Sequence, residues 1–447
     1  MSLIIQRATY LIKSDFGNDC LLTPALLCFK AMKDNFGRLD YLKITIYGFA
    51  LAALWSSLHS IVLPLRLLDM VAESEKNTRL GLLTFAGLFL AMIVQPIAGA
   101  ISDRSGFRWG RRRPYIVIGS LVGILLLPGI GLFQSYLALF LIYCLLQMSS
   151  NTAQGPYQAF IPDLVPPDRK GLASGVKSLL EIVGGIALVR LIGLFMGNYA
   201  PGEAAVWLWL VLGVLAAVLF GAMLATIIMV REAPGTRNEE TLSMWKTLGR
   251  SFRIDVSKNR DFIVFLISRL LVFMALTTIQ TFALFYLKDV AGLVNPATAT
   301  ADLLIAAGVG MLLAVYPAGR LSDRIGRRPV VVSSGLVGAG GILVIFFSAN
   351  YGVIIIGGAI IGTATGAFMS SNWALATDLL PRGEEARYLG LTNMATAGGA
   401  ALARLIGPVI DYFNRFDAGL GYQVMLGACF AYFIVGSLLL LRIRERR

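Results

Sequence analysis

Residues 99–114 read GAISDRSGFRWGRRRP, and residues 319–329 read GRLSDRIGRRP. Each runs Gly-x-x-x-Asp-Arg, then a glycine, consecutive arginines and a proline. Two further pairs echo them in the same order. IPDLVPPDRKGLASG (161–175) aligns with ATDLLPRGEEARYLG (376–390), and GGIALVRLIG (184–193) with GGAALARLIG (398–407) at eight of ten positions. Gly99 maps to Gly319, Asp103 to Asp323, Asp163 to Asp378 and Arg190 to Arg404, at offsets of 214 to 220 residues. Ordered matches at nearly one offset mark a tandem duplication.

The 447 residues are 57% hydrophobic and 15% charged, where soluble domains run at about 45–50% and about 25%. Too little polar surface is left to face water, so the chain belongs in a bilayer. A membrane-spanning helix takes about 20 mostly apolar residues. That window gives twelve spans, near 42–65, 80–101, 114–133, 136–160, 173–197, 205–230, 261–287, 302–319, 329–348, 352–375, 388–411 and 420–441. The runs are too long for barrel strands and do not alternate. The expected fold is an all-α membrane protein with twelve transmembrane helices in two pseudo-symmetric six-helix bundles. Residues 1–40 read as a cytoplasmic or interfacial segment, 41–230 as the first bundle, 231–260 as a polar linker and 261–447 as the second bundle.

The net charge of +13 is not a nucleic-acid footprint. About 30 of the 39 basic residues fall on the side that holds both termini, while the opposite loops hold Arg66, Lys76, Arg79, Lys288 and Arg415. The positive-inside bias therefore predicts a multi-pass protein, expected in the plasma membrane, with both termini cytoplasmic. The four cysteines (Cys20, Cys28, Cys144, Cys429) and single histidine show no metal spacing and read as small apolar residues and a lone ring. No nucleophile–base pair or phosphate loop is legible. Neither an enzyme, a metal nor a cofactor is expected. The expected partners are the lipid bilayer and a small-molecule substrate, and the protein is expected to act as a monomer.

Gly99 and Gly319 precede their aspartates by one helical turn and can let a neighbouring helix approach. Asp103 and Asp323 sit at the unfavourable end of their own helix dipoles, and become favourable against another helix N-terminus or an arginine. With Arg104, Gly110, Arg111 and Arg112, and with Arg324, Gly326, Arg327 and Arg328, they form two gating motifs between neighbouring spans. This motif resembles the signature loop of the major facilitator superfamily, and its second copy fits that superfamily's two halves. The resemblance implies alternating access, the halves rocking around a central cavity.

The first loop is five residues longer than its repeat. Together with NTAQGPYQAFIPDL (151–164) on the fourth span, it resembles the sucrose–proton symporter-like branch, close to the glycoside–cation symporters. In that branch an acidic residue lies seven positions before the glutamine and an arginine four after it. Here those places hold Gln147 and Gln158. An amide can hydrogen-bond a hydroxyl but cannot titrate, which puts proton coupling through the fourth span in doubt.

A charge inside the membrane is expensive, about 2.5–3.5 kcal/mol at the bilayer centre, so each one asks for a reason. Lys177 and Glu181 on the fifth span are four apart and share a face. Glu181 reads either as the remaining proton carrier or as a structural partner of Lys177. Proton-coupling candidates are therefore Glu181, Lys177 and His59, with a proton or sodium ion as the coupling ion. Arg190 and Arg404 either snorkel to the headgroups or face the gap between halves, which their flanking glycines favour. The resemblance to the superfamily implies a cavity lined by the first, fourth, seventh and tenth spans. The substrate-binding candidates are then Trp55, Gln147, Asn151, Gln154, Gln158, Arg190, Arg269, Gln280, Asn372, Trp373 and Arg404. Aromatic faces with amides suit a sugar. The expected function is secondary active or facilitative transport of a small neutral solute, a disaccharide or glycoside. Efflux of amphipathic compounds is the first alternative, and the fifth span lacks the proline that the efflux motif carries. A non-transporting receptor or assembly factor is the other alternative, and retention of both gating loops argues against it.

Overall fold

The computed structural model describes residues 36–200, 205–232, 260–379 and 385–443. Most of the segment 1–40 and of the linker 231–260 lies outside the described residues. Twelve long helices follow one another: α1 Arg38–Leu68, α2 Lys76–Asp103, α3 Arg113–Leu126, α4 Tyr136–Gln158, α5 Lys170–Met196, α6 Ala205–Met229, α7 Arg260–Asp289, α8 Pro296–Ile325, α9 Arg327–Phe346, α10 Tyr351–Asp378, α11 Glu385–Ala403 and α12 Leu420–Leu440. No strand occurs among the described residues. Eleven of these helices are long and apolar enough to cross a membrane. Bulky apolar side chains such as Leu125, Leu137, Ile228 and Leu313 stand exposed along them, as a lipid solvent requires and water does not tolerate over so wide an area.

The eleventh predicted span is the exception. α11 gives way to a 3₁₀ turn at Arg404–Ile406, and a helix of eight residues, Gly407–Asn414, continues the path. Pro408 has no N–H to donate to the Arg404 carbonyl four residues back, so the regular ladder fails there. The freed carbonyl is capped by the Gly407 N–H.

The packing partners repeat between the halves. α1 packs on α5 and α6 as α7 packs on α11 and α12, and α4 packs on α2 and α3 as α10 packs on α8 and α9. Across the halves α5 meets α8, and α2 meets the end of α11 with its continuation. The α8–α10 crossing is close because a Cβ at Gly362 or Gly366 would run into the α8 backbone at Ala307 or Met311, a small-x-x-x-small contact of the kind membrane helices use.

Candidate functional site

Between the halves lies a cavity of about 880 Å³. α1 supplies Trp55 and His59, α4 supplies Gln147, Asn151 and Gln154, α7 supplies Thr277 and Gln280, and the turn after α11 supplies Arg404. His59 sits in a π-helical turn at Leu58–Val62, a local widening that recurs at functional sites. Tyr143, Gln147 and Asn151 are four apart and share one face of α4. Gln147 Nε2 donates to Tyr143 Oη at 2.8 Å, and Asn151 Nδ2 donates to Gln147 Oε1 at 3.1 Å. The Tyr143 hydroxyl lies 2.8 Å from His59 Nε2. The Trp55 ring stacks on His59 with centroids 5.1 Å apart, and its Nε1 donates to Ser150 Oγ at 3.1 Å.

The other candidates divide. Arg269 is buried on α7. It donates from Nη1 to Asn372 and from Nε to Thr396 Oγ1 at 2.8 Å, beneath the rings of Phe273 and Trp373. Phe273 and Thr396 face the cavity, but Arg269 and Asn372 are buried and Trp373 is exposed, and none of the three is in its lining, where the sequence reading had them. Gln158 also falls outside: it is exposed at the end of α4, one turn past Gln154. Arg190 faces the other half across the gap between them. It pairs with Asp302 on α8, whose other oxygen accepts from Tyr351 at 2.7 Å, and it borders no cavity described here. Lys177 and Glu181 do pair, at 3.3 Å. Glu181 lines a second, more apolar cavity of about 270 Å³ among α1, α5, α7, α8 and α10, and Gln280 borders both spaces.

At the end where α2 begins, the halves are tied by polar groups absent from the sequence-based candidates. Asp411 accepts from Asn77 Nδ2 at 2.8 Å and from the Thr78 N–H at 2.6 Å. Lys76 pairs with Asp289 at 2.7 Å, Tyr422 donates to Asp289 at 2.6 Å, and Lys288 pairs with Glu73. Gly81 lies against the Arg404 carbonyl and Gly407 against that of Asn77, so the backbones touch. From this closed end the cavity lining runs to Gln95 and Pro96 on α2 and Gly390 and Asn393 on α11, toward the end that carries the two repeated loops.

In the first loop the buried Arg112 guanidinium pairs with Asp103 and with Asp163 at 3.0 Å, and donates to Ser102 Oγ at 2.6 Å. Arg111 adds a second contact to Asp163 at 2.8 Å. In the second loop Arg327 pairs with Asp378 at 2.7 Å, and Arg328 donates to the Ile443 carbonyl at 3.0 Å. Arg104, Asp323 and Arg324 are exposed. Gly319 is pressed against Ser370, but a Cβ at Gly99 would meet nothing within 4 Å. α4 does approach α2 there, but the glycine that permits it is Gly155, whose Cβ would meet the Gln95 carbonyl and the Gly99 nitrogen. The Glu232 carboxylate accepts from the Arg112 and Arg113 N–H groups at 3.1 Å each, capping α3. Burial pushes that carboxyl up, against the lowering effect of the two N–H groups. Gly110 and Gly326 hold φ of +119° and +101°, and a Cβ at Gly110 would strike Glu232. Gly110→Ala should therefore cost about 2 kcal/mol and lower the melting temperature of the purified protein. An unchanged melt would mean that this cap contributes nothing.

A family model described as MFS/sugar transport protein matches residues 46–441. The chain belongs to this family. It is therefore a transporter of the major facilitator superfamily, an integral multi-pass membrane protein and not an enzyme. The transporter is 34% identical over 143 residues to the minor myo-inositol transporter IolF of Bacillus subtilis (strain 168), a stretch covering 31% of this chain and 30% of IolF. It is 31% identical over 122 residues to the sucrose transport protein SUC3 of Arabidopsis thaliana, covering 22% and 20%. The matched stretches thus span less than a third of either relative. The resemblance to the sucrose-transporting branch read from the fourth span agrees with the second. Among solved structures, the nucleoside transporter NupG superposes with a TM-score of 0.70 at 14% identity over 91% of this chain and 99% of NupG, which identifies the fold.

Proposed function

We propose that the transporter carries a sugar or glycoside of up to disaccharide size across the bilayer by alternating access. The observation that carries this reading is the central cavity, closed by the α2 end contacts and extending toward the repeated loops. Its volume suits a small ligand. The Trp55 ring offers an apolar face, and Gln147, Asn151, Gln154 and Gln280 offer amides for hydroxyls. The two halves are taken as rigid units, residues 41–230 and 261–447, that rock about this site. The charge bias supports placing both termini and the open end in the cytoplasm of a plasma-membrane carrier.

Coupling, on this reading, runs through Glu181. It is a membrane-embedded carboxylate beside Lys177, and Gln280 connects its cavity with the central one. Labelled sucrose uptake into proteoliposomes, with and without an inward proton gradient, tests both parts. Stimulation by the gradient supports symport, and Glu181→Gln should then abolish the stimulation while gradient-free exchange persists. Stimulation that survives Glu181→Gln removes this residue from the coupling step. Absence of uptake with sucrose and with a wider glycoside panel would overturn the carrier reading.

A further inference from the structure

The duplication placed an arginine at equivalent points of α5 and at the end of α11, and the two copies have different surroundings. Arg190 faces Asp302 across the α5–α8 contact. The equivalent contact for Arg404 is with α2. At the offset of 220 residues that relates Gly99 to Gly319 and Asp103 to Asp323, the counterpart of Asp302 is Leu82. α2 carries no acidic residue before Asp103 at its far end. Both halves carry the arginine, and only the α8 side of the repeat carries the acid opposite it.

Arg404 is only 6% exposed and still lines the central cavity. Its Nη1 donates to the Ala400 carbonyl, and its buried Nε has no hydrogen-bond partner. No aspartate or glutamate lines that cavity among the described residues. The neighbours it acts on electrostatically are His59 and Tyr143, and neither is an anion in the hydrogen-bond arrangement described above. A guanidinium stays charged and presents five N–H donors in a fork matched to a carboxylate. A buried cation left without its counter-charge is strongly unfavourable. Arg269, the other buried cation nearby, already spends two donors on Asn372 and Thr396.

We infer that the cargo is acidic, a sugar or glycoside bearing one carboxylate, and that Arg404 is the residue that binds that carboxylate. A single open guanidinium balances a single negative charge, which favours a carboxylate over a phosphate dianion. The inference rests on the carrier reading above and replaces the neutral cargo expected from sequence. It also accounts for the amide at Gln147, which lines the cavity: where the cargo brings the negative charge, an acid at that position would repel it.

The test uses the purified full chain and matched pairs that differ only in the carboxylate: methyl β-D-glucuronide against methyl β-D-glucoside, and acidic against neutral disaccharides. Binding is read by titration calorimetry. The acidic member of a bound pair is expected to bind roughly 10- to 100-fold tighter, the worth of a hydrogen bond to a charged group. Arg404→Gln should remove that preference, and Arg404→Lys should retain part of it. Without ligand, Arg404→Gln should melt at a higher temperature than the parent, because an unbalanced buried charge has been removed. A lower melting temperature would make Arg404 a structural group and overturn the inference. So would a wild-type protein that binds only neutral members, which leaves the carrier reading intact. Displacement of the uronide by inorganic phosphate at comparable concentration would overturn the choice of carboxylate. Failure of every member to bind would bring down the carrier reading and this inference together.

Discussion

Asp411→Ala is expected to open the closed end of the transporter, with spin labels at Glu75 and Arg415 moving from a single short distance to a distribution dominated by a longer one. The carboxylate comes from the continuation of α11 and lies over the first turn of α2, where it takes Asn77 Nδ2 at 2.8 Å, the Thr78 N–H at 2.6 Å and the Asn77 N–H at 3.4 Å. A helix N-terminus has orphan N–H groups and a partial positive charge. Here the group that satisfies them belongs to the other half of the molecule. The contact therefore exists in the conformation described and is lost when the halves part. Hydrogen bonds to a charged acceptor contribute about 1.5–3 kcal/mol each, and these share one carboxylate. A loss of about 3 kcal/mol for the whole group corresponds to roughly a 100-fold shift in the equilibrium between closed and open ends. Asp411→Asn keeps the shape and one acceptor oxygen and should shift it less. Lys76–Asp289 and Tyr422–Asp289 remain in both variants, so the protein should stay folded. An unchanged distance distribution in Asp411→Ala would show that this end is held by the other contacts there, the Lys76–Asp289 and Lys288–Glu73 pairs and the backbone approaches at Gly81 and Gly407.

Much of the fold was legible in the sequence, because a bilayer demands long apolar runs and a duplication leaves ordered echoes. The loops at 99–114 and 319–329 marked equivalent points of the two halves, and the packing partners of α1 to α6 recur in α7 to α12. The cavity was legible only in part. Trp55, His59, Gln147, Asn151, Gln154, Gln280 and Arg404 do meet at one space. Arg269, Asn372, Trp373 and Gln158 are not in its lining. A helix that is apolar all round carries no stripe to say which way a polar residue turns, and α7 is such a helix. Thr396 and Asn372 decide where Arg269 points, and they come from distant parts of the chain. The same holds for the two arginines: GGIALVRLIG and GGAALARLIG are nearly one sequence, and only the helix opposite distinguishes Asp302 from Leu82. The closed end was missed because Asp411 and Asn77 are 334 residues apart. Its one local signal was a proline, Pro408, placed where the eleventh span should have continued.

Arg112→Ala should produce a transporter that binds its ligand and fails to turn over. Arg112 is 4% exposed and holds Asp103, Asp163, Ser102 Oγ and the Gly99 carbonyl together, from α2, α3 and the segment after α4. Removing one partner of a buried charge network costs about 3–5 kcal/mol. Asp103 and Asp163 are 55% and 23% exposed, and water can recover part of that loss, which puts the figure near the lower end, about 3 kcal/mol. The damage falls far from Trp55, Gln147 and Asn151, so ligand affinity by calorimetry should change less than about threefold. Turnover should fall by about 100-fold, because in the proposed alternating-access cycle the ends of α2, α3 and α4 move as one body. Asp103→Asn tests the same linkage more gently. Asp103 is half in water and Asp163 remains to hold Arg112, so a reduction of about tenfold is expected. Equal loss of binding and of turnover in Arg112→Ala would mean general unfolding. Unchanged turnover would mean that the loop does not take part in the cycle.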